Sequence, residues 1–117
     1  MNEVEMIQGM TVYFAVSILN SDGTDYEPIE GDVVRLGVKH DTARQAYDIL
    51  KIGVYDSEQG CFIFSFAPAD TSALRATDYG EHYMYDVSLQ SGSDIFTVIP
   101  PTQLLLYRSV THLEVTP

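Results

Sequence analysis

The feature that most constrains this chain is alternation. In CFIFSFA (61–67) the side chains Phe62, Phe64 and Phe66 recur at every second position, so an extended backbone puts all three on one face. The same period runs through TVYFAVSIL (11–19), with Val12, Phe14, Val16 and Ile18 on one side and Tyr13, Ala15, Ser17 and Leu19 on the other. It returns in DVVRLGVKH (32–40), where Val34, Leu36 and Val38 oppose Val33, Arg35, Gly37 and Lys39. ILKIGVYD (49–56) reads as one strand with Leu50, Ile52 and Val54 in register. HYMYDVSLQ (82–90) and IFTVIPPTQLLLY (95–107) complete the set, and VTHLEV (110–115) reads as an added edge strand.

Turn formers close each run: NSDGTD (20–25), SEQG (57–60) and SGSD (91–94). YEPIEGD (26–32) is a linking piece broken by Pro28 and Gly31. DTARQAY (41–47) fits one helical turn or a loop equally well. PADTSALRATDYG (68–80) changes period, and Asp70 is placed to N-cap a short helical turn through Leu74 that Gly80 ends. About seven strands with one short helical turn predict an all-β, antiparallel, immunoglobulin-like β-sandwich, one domain over residues 1–117. Pro100-Pro101 removes two backbone donors and belongs at an edge or at a crossover between sheets.

Composition agrees: 45% hydrophobic and 20% charged, with eight tyrosines, five phenylalanines and no tryptophan. A net charge of −11 disfavours phosphate backbones and anionic lipid headgroups, so neither nucleic acid nor membrane is expected as a partner. No apolar run reaches the roughly 18 residues of a membrane span. MNEVEMIQGM has acids and no basic segment ahead of an apolar core, unlike a secretory leader. Cys61, the single cysteine, cannot form an internal disulfide and reads as a small buried hydrophobe.

Chemistry is advertised most openly by HYMYDVS (82–88). On a strand, His82, Met84, Asp86 and Ser88 face out while Tyr83, Tyr85, Val87 and Leu89 face the core. At about 3.3 Å per residue, His82 and Asp86 stand about 13 Å apart. Triad members need hydrogen-bond contact, so these three cannot serve one another. His40 and His112 lack local partners, and no C-x-x-C or H-E-x-x-H spacing supports a metal. An enzyme would require His40, His82 or His112 to meet carboxylates across strands. The acidic turn NSDGTDYE offers Asn20, Asp22, Asp25 and Glu27, but its glycine and closing position do not fit a calcium loop. No cofactor, metal or catalytic residue is expected. DYGEHYMY (78–85) bears a weak likeness to the tyrosine corner of immunoglobulin-type sandwiches, leaving an inward tyrosine to anchor its hydroxyl near the strand start.

The succession of segments also resembles a known family. Gly9-Met10-Thr11-Val12 precedes a strand that ends in a DG turn (NSDGTDYE). EGDVVRLGVK, the F-x-F-x-F strand, PADT, YGEHYMYDVSL, a short turn and FTVIPP before a final strand follow in order. Over roughly residues 7–115 this is similar to small β-sandwich domains of tailed phages and of prophages of Gram-positive bacteria, above all the N-terminal domain of phage baseplate upper proteins. The resemblance implies a non-enzymatic virion, tail or baseplate protein. Such a protein would be made in the bacterial cytoplasm, carried in the virion, and engaged in protein–protein contacts with other tail proteins or with further copies of itself. It assigns no residue a role. From the residues themselves, the expected partner face comprises Tyr13 and Leu19 together with Leu104, Leu105, Leu106 and Tyr107, a run longer than alternation buries on one side. The alternative is a carbohydrate-binding module using exposed tyrosines, with Tyr13, Tyr26, Tyr47 and Tyr79 as lining.

Overall fold

The computed structural model describes residues 3–40 and 46–109. The tail 110–115, His112 and most of the 41–47 segment therefore lie outside the described residues. Among these described residues, eight strands and one short helix follow in chain order: β1 (Val4–Ile7), β2 (Val12–Val16), β3 (Val33–Lys39), β4 (Ile49–Ile52), β5 (Val54–Asp56), β6 (Cys61–Phe66), α1 (Pro68–Ser72), β7 (Glu81–Ser91) and β8 (Asp94–Tyr107). They form a five-stranded sheet, β1-β8-β7-β3-β4, and a three-stranded sheet, β2-β6-β5.

The two inner faces meet as the period-two pattern dictates. Val34, Leu36 and Val38 of β3 and Tyr83, Tyr85, Val87 and Leu89 of β7 are buried against Phe62, Phe64 and Phe66 of β6. Phe14 of β2 meets Tyr85 edge-on, with centroids 5.7 Å apart, and so joins the two sheets. Each such side chain contributes about 1.5–3 kcal/mol by leaving water, so the phenylalanine stripe is a large share of the stabilisation.

Four expectations change. The sheet is not wholly antiparallel, because β1 runs parallel to β8, pairing Val4 with Leu104 and Ile7 with Tyr107. β1 itself is an eighth strand where only a lead-in segment was expected. Residues 49–56 are not one strand: the chain leaves the large sheet at Ile52 and enters the small one at Val54. The switch sits at Gly53, whose N–H donates to the Val34 carbonyl at 2.8 Å, and a Cβ there would stand 3.0 Å from Phe64 Cζ. Ile49 supplies the buried side chain, while Leu50, Ile52 and Val54 are all exposed. The fourth change concerns α1, which begins one turn earlier than expected. Ala67 is the N-cap residue, Pro68 fills the first turn, and Asp70 accepts the Ala67 N–H at 2.6 Å from the third helical position.

Pro100-Pro101 stands at an edge, as expected. β1 pairs only with residues 104–107 of β8, so the prolines have no described strand on that side. On the other side the register steps from Tyr85–Thr102 to Val87–Ile99, setting both prolines opposite Asp86 alone.

Candidate interaction surfaces

The expected partner face divides. Tyr13 (71% exposed) and Leu19 (59% exposed) face solvent as the alternation of β2 requires. Leu104 (5%) and Leu106 (1%) do not, because they point into the core. β8 alternates here after all: Leu105 and Tyr107 take the outer face of the large sheet, half-buried, beside exposed Ile7. Leu104 and Leu106 are thus structural, and the remaining four residues do not share one surface, since Tyr13 lies on the outer face of the opposite sheet.

Several of the exposed apolar side chains instead lie on sheet edges, while Ile29, Tyr47 and Tyr79 stand in connections. Leu50, Ile52 and Val54 mark the β4–β5 edge. Ile95 and Phe96 open β8, and Phe96 pairs with buried Leu89, so its ring lies on the inner side of the large sheet while remaining 52% exposed. The apolar run IFTVI was the available signal for this patch, but the facing of Phe96 depends on the β8 irregularities beyond it.

Several titratable side chains are held in short pairs. His40 Nε2 lies 2.6 Å from Glu81 Oε2, and the Arg75 guanidinium approaches Glu81 Oε1 at 3.6 Å. One histidine therefore does meet a carboxylate across strands, and its ring also lies tilted at 51° against Tyr83 with centroids 4.7 Å apart. The backbone N–H of His40 donates to Asp48 Oδ2 at 2.5 Å, so both contacts hold the end of β3 beside its neighbours. His82 Nδ1 lies 2.9 Å from Gln103 Oε1, and the Gln103 amide donates to Glu3. His82, Met84, Asp86 and Ser88 occupy successive outward positions of β7, so His82 and Asp86 are separated by Met84.

In NSDGTDYE, Asp22 Oδ1 accepts the Thr24 N–H at 3.0 Å and the Thr24 hydroxyl at 2.6 Å, while Asn20 Nδ2 donates to Thr24 Oγ1 and the Asp25 carbonyl. The acidic turn is folded on its own hydrogen bonds. Those bonds, from the Thr24 hydroxyl first, hold the Asp22 carboxyl below its ordinary range. Asp32 is lowered mainly by the Tyr26 hydroxyl, with the Ile29 N–H adding to it. Cys61 is buried, with its thiol 3.8 Å from Gln59 Oε1. Among the described residues, no group of three or more His, Cys, Asp or Glu is placed to hold a metal ion.

The described bases are engaged locally. Lys51 pairs with Asp70 at 2.8 Å, Arg108 with Asp78 at 3.9 Å and Arg35 with Gln90 Oε1 at 2.7 Å, while Lys39 lies over the Tyr47 ring. The excess of acids is left to dominate the surface field. Among the described residues, no helix is long and apolar enough to cross a membrane. Compared with known proteins, the chain matches no family model and no curated sequence.

Proposed function

We propose that this chain is a non-enzymatic structural domain of a phage or prophage tail or baseplate, working through contacts with other tail proteins. The observation that carries the reading is the placement of the exposed apolar side chains along open strand edges (Leu50, Ile52 and Val54 on one, Leu19 and Phe96 on another), where a sandwich offers surface for assembly.

The immunoglobulin-like assignment has its own support. The order β8-β7-β3-β4 against β2-β6-β5 follows the G-F-C-C′ and B-E-D sheets of that architecture. Tyr83, at the start of β7, donates its hydroxyl to the Arg75 carbonyl at 2.8 Å, the role a tyrosine corner plays. The carbohydrate reading gains no common platform, because Tyr13 and Tyr47 lie on opposite faces of the sandwich and Tyr26 donates to Asp32.

The deciding experiment is mass spectrometry of purified particles released on induction of the encoding strain. Peptides of this chain at stoichiometric amounts in intact virions are expected. Intact virions without them overturn the reading.

A further inference from the structure

The two sheets are unequal, with five strands facing three, and the shortfall falls on one side. Among the described residues, β2 pairs with β6 on one edge and with no strand on the other. Residues 94–103 of β8 pair with β7 and have no described strand on their other edge. Between these two open edges runs a groove floored by Phe14, Val16, Tyr85, Val98 and Ile99 and continuing past Ile18 to Phe96. Along β2 itself the groove is about 17 Å long at about 3.3 Å per residue, and beyond it the Ile18 carbonyl accepts the Tyr26 N–H and Leu19 bridges Asp25. The inner-facing ring of Phe96 is half-exposed here, lining the groove opposite Ile18 and Leu19.

We propose that this groove takes up an extended strand of a partner protein, which pairs with the free edge of β2 and completes the small sheet over β8. The proposal rests on the assembly reading above and names the kind of contact through which assembly proceeds. Two observations fix the chemistry of the occupant. The unpaired N–H and C=O groups of β2 call for an extended backbone, with alternate apolar side chains entering the floor. The charge selects the other face. Among the described residues Glu3 lines the groove and no basic residue does, and the chain carries −11. A strand with lysine or arginine at its outward positions is attracted, whereas a second copy of this chain is repelled.

The test is selection of a randomised twelve-residue peptide library on the intact, immobilised chain. The enriched peptides are then measured against the wild type, Phe96→Ser, Leu19→Ser and, as a control on the opposite edge, Ile52→Ser. The expected peptides share alternating apolar positions with intervening basic residues. They protect backbone amides of residues 12–18 from hydrogen exchange, and their affinity falls about tenfold or more in Phe96→Ser and Leu19→Ser but not in Ile52→Ser. No enrichment, peptides without alternation, or binding indifferent to Phe96→Ser would each overturn the proposal. A self-associated state on sedimentation that Phe96→Ser abolishes would also overturn it, by making the occupant a second copy. Success here with virions that lack the chain would leave the groove standing and remove the tail assignment. Virions that contain the chain alongside a groove that binds nothing would do the reverse.

Discussion

The Tyr83 hydroxyl donates to the Arg75 carbonyl at 2.8 Å, tying the start of β7 to the connection that leads into it from α1. The tyrosine ring is buried, so loss of the hydroxyl leaves a part-buried carbonyl without its donor. Tyr83→Phe should lower stability by about 1–2 kcal/mol with no change of fold, read as a shift in the urea midpoint at constant slope.

At Gly53 the backbone changes sheets against Phe64. A methyl group there meets Phe64 Cζ at 3.0 Å and Phe62 Cβ at 3.3 Å, both core groups with nowhere to retreat. Gly53→Ala should cost about 1–3 kcal/mol. Gly37→Ala is the contrast, since its Cβ would overlap the Tyr47 ring, which is half-exposed and free to swing away. That variant should lose less than about 1 kcal/mol in the same denaturation series.

Acid and alkali should destabilise this protein for different reasons. The Lys51 hydrogen bond chiefly, aided by the Ala67 N–H, holds the Asp70 carboxyl low; the Thr24 and Tyr26 hydroxyls do so for Asp22 and Asp32. Folded pKa values below the unfolded ones mean that the unfolded chain binds more protons near pH 4. The stability contributed is present above about pH 4 and lost as pH falls further. Burial raises the Tyr83 and Tyr85 hydroxyls, so their contribution is present below about pH 10 and lost above it. Thermal midpoints should decline at both extremes, with Asp70→Asn showing a shallower acid limb. An unchanged acid limb in that variant would remove Asp70 from the account.

The sequence exposed those parts of the fold that follow from period two alone. Phe62, Phe64 and Phe66 had to share a face, and so did Tyr83, Tyr85, Val87 and Leu89, because an extended backbone leaves no alternative. What alternation cannot carry is a change of context within a run. Leu50, Ile52 and Val54 were in register, yet the side they share is the exposed one, and the sheet switch at Gly53 depends on the room left by Phe64. β1 is too short and too acidic to announce itself. In the candidate groove, Leu19 was visible as an outward residue of β2. The facing of Phe96 follows from the register shifts between β7 and β8, which no local pattern encodes.

The leucine run of β8 allows a test of that distinction. Leu104, Leu105 and Leu106 are chemically identical and adjacent, so only their facing separates them. Leu106 lies in the core and pairs with Glu81 on β7 and Met6 on β1, while Leu105 points outward between His82 and Glu5. Leu106→Ala removes fully buried methyl groups from a strand held on both sides, leaving a cavity that cannot easily collapse. It should cost about 2–5 kcal/mol, and Leu104→Ala should behave similarly. Leu105→Ala should cost no more than about 1 kcal/mol, since water already reaches that face. Equal losses at 105 and 106 would mean that β8 is not held in this register. Because the inward position of Phe96 derives from the same strand, the groove between β2 and β8 would lose its floor with it.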